Sequence, residues 1–288
     1  MHIGERMRTT GEWLLRLGTM AAVAAVAVGF SVGDASPAPS KDAATTAAPD
    51  QAGQEDLHWT WTIPAGKTIE IKGVNGTIRA RRTSGAKVDV RAWKHANHSD
   101  PAEVKVEFVQ HDGGITVCAV YPGSNNDCEP GDAGHMNTHN NDVVVDFEVQ
   151  VPAGVGFTGR TVNGSVEAES LDGPILARTV NGHVEVSTSK RAEASTVNGS
   201  ITARMGSTAG GDGLEFSTVN GSITLDLPET VNADLSASTV NGSIQTDFPV
   251  TVQGTFNRHR IEGTLGKGGM DLKLQTVNGS IRLRKASI

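Results

Sequence analysis

Large rings are scarce in this chain. Its 288 residues include seven Phe, four Trp and one Tyr, so aromatics make up 4 %. A core of ordinary thickness leans on such rings. Here the apolar filling has to come from Val, Ile, Leu and Ala, the residues of thin, regularly layered β-structure. Basic residues are also in the minority, 25 Lys and Arg against 32 Asp and Glu, for a net charge of −7. Phosphate neutralisation supplies most nucleic-acid affinity, so an acidic chain with no basic stripe is not expected to bind nucleic acid. There are two cysteines. A GxSxG elbow, a Walker loop, an HExxH helix and a CxxC pair are all missing, which removes the commonest routes to nucleophilic, phosphoryl-transfer and zinc chemistry. No catalytic residue, metal or cofactor is therefore expected.

Long hydrophobic runs are missing too, with one near-exception. Leu17–Phe30 is almost wholly apolar and follows Arg6, Arg8 and Arg16, with small residues and Ala35 behind it. At about 14 residues it falls short of the roughly 20 that span a bilayer, and the order of basic, apolar and small segments is that of an export signal. Residues 1–35 are read as a signal peptide, or as an anchor if uncleaved, which would be the chain's one link to a membrane. Residues 36–56 are rich in Ala, Pro, Thr, Ser and Asp. They cannot bury enough apolar surface to offset the entropy of ordering, and are read as a flexible linker.

What the rest of the chain has in abundance is one hexapeptide. VNGTI occurs at Val74–Ile78, TVNGSV at Thr161–Val166 and TVNGHV at Thr179–Val184. TVNGSI follows at Thr196–Ile201, Thr218–Ile223, Thr239–Ile244 and Thr276–Ile281. The asparagines are Asn75, Asn163, Asn181, Asn198, Asn220, Asn241 and Asn278; the glycines are Gly76, Gly164, Gly182, Gly199, Gly221, Gly242 and Gly279. From Asn163 the gaps are 18, 17, 22, 21 and 37 residues. Self-similarity at about 20 residues signals a stacked repeat. The double gap at the end predicts a degenerate copy at Glu262-Gly263-Thr264-Leu265.

Asn-Gly is a strong turn dipeptide because both residues tolerate positive φ. Each copy is read as a corner between two short strands, Val and Ile pointing inward, Thr and Ser outward. Leu171-Asp172-Gly173-Pro174-Ile175 and Thr83-Ser84-Gly85-Ala86 sit about halfway between copies and mark the opposite turns. The fold class is all-β, a solenoid-like stack of short strands. Rungs at about 4.8 Å would lay each Asn over the next, so the amides could bond in a ladder and satisfy one another in the interior. The Asn array is thus given a structural role. A flat outward threonine face, which binding to ice would need, is not evident.

Residues 57–152 are less regular and are read as an N-terminal β region capping the stack; 153–288 are the VNG-repeat solenoid, continuous with it. Strands are expected at His58–Ile63, Thr68–Lys72, Lys87–Trp93, Glu103–Gln110, Gly114–Val120 and Val143–Val151. Cys118 and Cys128 flank a polar loop, and in an exported chain such a pair is expected to form a disulfide. His111, Asp127, Asp132, His135, His139 and Asp142 lie nearby, but without a recognised metal-ligand spacing. Glu167, Glu169, Glu185, Asp226, Asp234 and Asp247 are read as a solvated face.

With the seven VNG copies and half-turns such as LDGPI in view, residues 57–288 resemble the bacterial toast-rack β-strand repeat family, also called "putative adhesin" domains. The resemblance implies an exported, non-enzymatic envelope module, periplasmic or extracellular, whose partner would be an envelope protein or a glycan. The alternative is a carbohydrate-active enzyme on a β-helix scaffold.

Overall fold

Short β-branched segments separated by glycine corners leave the backbone one way to satisfy its hydrogen bonds, which is to pair with the next segment. The computed structural model describes residues 55–286 apart from 125, 135–136, 211–212 and 253–256. All of these lie in the unit Ala44–Ile288; the signal and most of the linker fall outside the described residues.

The strands run β1 (Glu55–Trp61), β2 (Thr68–Lys72), β3 (Ile78–Arg82), β4 (Val88–His95), β5 (Lys105–His111), β6 (Gly114–Val120) and β7 (Val144–Val151). Then come β8 (Gly156–Arg160), β9 (Val166–Leu171), β10 (Ile175–Arg178), β11 (Val184–Thr188), β12 (Ala192–Ser195), β13 (Ile201–Met205) and β14 (Leu214–Ser217). The last are β15 (Ile223–Leu227), β16 (Ala233–Ser238), β17 (Ile244–Thr246), β18 (Val250–Val252), β19 (Arg260–Leu265), β20 (Met270–Gln275) and β21 (Ile281–Lys285). The early strands fall within three residues of their expected bounds, and β2 and β6 coincide with them. One 3-10 turn, Pro101–Glu103, is the single helical element among the described residues.

They form two sheets. One is ordered β1-β4-β7-β3-β9-β11-β13-β15-β21-β17, the other β18-β19-β16-β20-β14-β12-β10-β8-β2-β6-β5. From β7 to β17 and from β6 to β16 every pairing is parallel. The result is an all-β, solenoid-like stack in which each rung gives one strand to each sheet. Antiparallel strands finish both ends: β4 and β1 in the first sheet, and β5, then β19 and β18, in the second. At the β1 end Trp59 stacks on Trp61 at 6.4 Å and Trp61 meets Phe108 of β5 edge-on at 5.2 Å, bridging the two sheets over the opening.

The core is a narrow strip of small and medium side chains in register. Val166, Val184, Ile201, Ile223 and Ile281 stack in one row, with Ala168, Val186, Ala203, Leu225 and Leu283 beside it. Phe157, Ile175, Ala177, Ala192, Ala194, Leu214, Phe216, Leu272 and Leu274 face them from the other sheet. Full burial of each larger side chain is worth about 1.5–3 kcal/mol. Sums along such a row hold the stack.

Three expectations are overturned. First, the repeats do not stack in chain order. The rung of β20 and β21 is inserted between that of β14 and β15 and that of β16 and β17, so Asn220 neighbours Asn278 and not Asn241. Second, Glu262-Gly263-Thr264-Leu265 is no corner; it lies in β19, antiparallel to β16. The lone double gap reflects that excursion.

Third, the corner is built inside out. The motif threonines Thr161, Thr179, Thr196, Thr218, Thr239 and Thr276 are 4–6 % exposed. Of the valines after them, Val180 is 38 % and Val240 59 % exposed, and Val162, Val197, Val219 and Val277 are half-buried. The reason is spacing. None of the motif asparagines has positive φ, so the corner is not a primed hairpin turn; it is extended backbone that keeps bridging from rung to rung. Glycine is needed at every corner for contact, and at Gly76, with φ +130°, for its backbone conformation as well. A Cβ on Gly199 would lie 1.9 Å from the Gly182 carbonyl oxygen, and one on Gly221 1.9 Å from that of Gly199. The same holds at Gly164, Gly182, Gly242 and Gly279 against their neighbours' glycine carbonyls, at 1.9–2.0 Å. A short hydroxyl side chain then fits beneath the corner and turns inward to reach that carbonyl.

This close approach makes a specific demand. Gly199→Ala should destabilise the fold by about 2–3 kcal/mol through enforced separation of two rungs, read in urea unfolding, whereas Ser200→Ala, on the exposed side of the same corner, should change it by less than about 0.5 kcal/mol. Equal midpoints for Gly199→Ala and the parent chain would contradict the packing described.

Candidate functional site: ladders, loop clasp and end concavity

Two side-chain ladders run along the corner. Thr161 donates its hydroxyl to the Gly76 carbonyl at 3.1 Å, Thr179 to Gly164 at 2.8 Å, Thr196 to Gly182 at 2.9 Å and Thr218 to Gly199 at 2.8 Å. Thr276 donates to Gly221 and Thr239 to Gly279, each at 2.8 Å. Outside them, each Asn amide donates to the carbonyl oxygen of the Asn below. Asn163 donates to Asn75 and Asn181 to Asn163, both at 2.9 Å; Asn198 to Asn181, Asn220 to Asn198, Asn278 to Asn220 and Asn241 to Asn278, all at 2.8 Å. These asparagines are exposed, Asn75 half-buried. Interior amides were expected; the ladder is a surface feature, and the buried polar row is threonine. The hydroxyls that an ice-type face would display therefore point into the protein.

Seven rungs turn through VNG. The eighth, β6 to β7, turns through the loop 121–143. Tyr121 holds the corner at its start. Its hydroxyl donates to Val143 O at 2.7 Å beside the Asn75 backbone, and burial pushes its pKa up to about 12. Cys118 of β6 and Cys128 are joined, with Cα atoms 5.6 Å apart.

A charged row on the outer face of the second sheet holds the loop down. Lys72, Arg160 and Arg178 lie side by side on β2, β8 and β10. Lys72 Nζ donates to Glu129 O at 2.8 Å and Ala133 O at 2.7 Å, and burial lowers its pKa. Glu70 accepts from Arg160 Nε at 2.8 Å, Thr116 Oγ1 at 2.9 Å and the Gly131 amide at 2.8 Å. Asp132 reaches from the loop to both Arg160 and Arg178. Burial alone would raise the Asp132 carboxyl; Arg160, by charge and hydrogen bond, then Arg178 and Lys72 outweigh it and hold it below the usual range. Sequence reasoning missed this clasp, because its members are scattered between positions 70 and 178 and meet only through the strand register.

The other loop residues go elsewhere. Asp142 accepts the amides of Ser99, Asn97 and His98 at 2.8–3.2 Å, a set of donors that holds its carboxyl well below the usual range. His111 accepts the Gly113 amide at 3.2 Å. His135 lies outside the described residues. Among the described residues no group of three or more His, Cys, Asp or Glu is placed to hold a metal. Asp226, expected on a solvated face, is buried between Arg284, at 2.7 Å, and Arg204, at 3.2 Å.

The outer face of the first sheet is concave at the antiparallel end. One hollow of about 600 Å³ is lined by Thr60, Lys87, Asp89, Arg91, Glu148 and Gln150, among others. A second, of about 270 Å³, is lined by Arg79, Trp93, His95, Asp146 and Glu148. Glu148 belongs to both.

Two measurements check the clasp and the amide ladder. The Asp132 carboxylate, depressed in the folded state, contributes above its unfolded pKa of about 3.9 and is lost as pH falls through the folded value. Asp132→Asn should therefore lower the protection of the Gly131 amide at pH 7, its exchange being compared with the intrinsic rate at that pH; identical protection in both forms would refute the clasp. If the amide ladder has the structural role we assign it, Asn198→Leu should cost about 1 kcal/mol, two exposed links being weakened, and an unchanged melting curve would argue against it.

Comparison with known proteins now adds to the geometry. No curated protein matches the chain. Among solved structures it is similar to a "putative cell adhesion protein" from Clostridium sporogenes, 11 % identical over 80 % of this chain and 100 % of that one, with a TM-score of 0.43. A "putative adhesin" from Bacteroides fragilis is 12 % identical over 80 % and 97 % of the two chains, with a TM-score of 0.37. The family model Toastrack DUF4097 matches residues 160–284. That span begins at Arg160, one residue before the first full TVNG copy, and ends in β21, which follows the last. Residues 160–284, which hold six of the seven VNG corners, are thus similar to the Toastrack DUF4097 family.

Proposed function

We propose that the chain is an exported, non-enzymatic cell-envelope module of adhesin type, a stiff stack that holds a binding surface away from its point of attachment. The observation that carries this reading is where the repeated polar groups spend their hydrogen bonds. All six motif threonines and the asparagine amides bond along the stack axis. A motif whose chemistry is consumed in joining one rung to the next stiffens a scaffold and leaves no repeated reactive centre. The Arg-flanked apolar run Leu17–Phe30 and the polar linker behind it support export and a tether. The Cys118–Cys128 disulfide fits an oxidising compartment. Among the described residues no helix is long and apolar enough to cross a membrane.

Fractionation of cells expressing the full chain tests the placement. The chain should be recovered in the envelope or the medium, with Cys118 and Cys128 oxidised. Recovery as a reduced protein in the cytoplasm would defeat the proposal.

A further inference from the structure

Most of the stack's outward side chains are engaged with one another. On the first sheet Arg79 pairs with Glu167 at 3.1 Å, Arg81 with Glu169 at 3.3 Å, and Asp226 with two arginines. At the antiparallel end Asp89 pairs with His58 at 2.6 Å and with Arg91 at 3.6 Å, and the exceptions are Trp93 and Glu148. Trp93 stands on β4 between buried Ala92 and Lys94, so its indole faces outward with Asp89, Arg91 and His95. Trp59 and Trp61, by contrast, pack against the core. A partly exposed indole on a strand's outer face presents part of a flat apolar ring to solvent.

The groups around it are fixed from outside the hollow. Arg79 is held by Glu167, and Asp146, opposite Trp93 in register, accepts the Thr77 amide at 2.7 Å. His95 lies 4.0 Å from Asp146. Among the described residues no hydrogen bond or ion pair engages Glu148, the one side chain common to both hollows. The lining is balanced in sign, Arg79, Lys87 and Arg91 against Asp89, Asp146 and Glu148. A balanced lining gives a charged ligand no net attraction. It does offer donors and acceptors together around an apolar plate, in a hollow of about 270 Å³ that adjoins, at Glu148, one of about 600 Å³.

From this juxtaposition we infer that the β1-β4-β7-β3 face is a binding site for a neutral pyranose chain, one sugar face lying on the Trp93 indole and its hydroxyls bonded to Glu148, Asp146 and Arg79. A pyranose has that composition, an apolar C–H face rimmed by hydroxyls that both donate and accept. The 600 Å³ hollow beyond Glu148, with Gln150, Arg91 and Asp89, receives the next unit. The site names a ligand class for the presenting role proposed above. An oxidised chain recovered in the envelope that binds no sugar would sink this inference alone.

The test is titration of the full chain with chitotetraose and with cellotetraose, followed by calorimetry and by the Trp93 indole N–H resonance, assigned through Trp93→Phe. At least one tetrasaccharide should bind saturably with a Kd of about 1 mM or tighter and shift that resonance, leaving those of Trp59 and Trp61 in place. Trp93→Ala should weaken binding about tenfold, the scale of a lost ring contact. Glu148→Ala, which leaves the indole in place, should weaken it by a similar factor and decides the matter should Trp93→Ala not fold. No saturable heat with either sugar up to about 10 mM, or binding that survives Glu148→Ala unchanged, would overturn the proposal.

Discussion

Rung-to-rung contact at the glycine corner is the constraint on which the rest of this molecule depends. With a Cβ excluded by a carbonyl oxygen at about 2 Å, the corners close to ordinary strand spacing and go on pairing as extended backbone through the turn. That spacing in turn decides which side chains can lie beneath and beside the corner. Threonine is short enough to enter and polar enough to need a partner there, and the glycine carbonyl of the preceding rung supplies one. A buried hydroxyl without that carbonyl would cost about 1–3 kcal/mol, so Thr and Gly in the motif are one device spread over two rungs. Asparagine, on the solvent side, repeats the link at lower stakes, since water competes for each amide.

The same constraint accounts for what could and could not be read from the amino acids. Seven VNG copies made a stacked all-β repeat legible, and the spacing of Cys118 and Cys128 made their pairing legible. Orientation within the corner was not. By composition Val belongs inside and Thr outside, and at a corner of normal width they would sit that way. The inversion follows from a contact distance between rungs, and no single hexapeptide contains two rungs. Asp226 is a parallel case. Its alternation places it outward, correctly, but Arg204 and Arg284 cover it from rungs 22 and 58 residues away in sequence.

Non-local meetings of this kind mark every place where the structure departs from a uniform rod. Glu70, Lys72, Asp132, Arg160 and Arg178 come together because the β6–β7 rung turns through a loop instead of VNG. That loop lacks the threonine and glycine that tie other corners to their neighbours. It is held by a disulfide, by Tyr121 and by a charged clasp, three fastenings of different chemistry doing what one repeated motif does elsewhere. The antiparallel strands at that end carry the Trp93 hollow for a related reason. β1 and β4 carry no VNG motif, so their outward positions are free to hold side chains that serve something other than stacking.

The opposite end sets a problem of assembly. β16 and β17 precede β20 and β21 in the chain yet sit beyond them in the stack. The β16–β17 rung therefore has no parallel neighbour until β20 and β21 arrive between it and β14–β15. Loop-closure entropy must be met before any of those contacts forms, and the Asn220–Asn278 link spans 58 residues where its neighbours Asn198–Asn220 and Asn241–Asn278 span 22 and 37. What favours the insertion is that one strand pair completes two interfaces at once. β21 satisfies β15 on one side and β17 on the other, and Thr276 and Thr239 close their carbonyl links in the same event. The excursion through β18 and β19 then has a physical purpose. It pairs antiparallel with the far side of β16 and covers an edge that a chain-order stack would have left open to association.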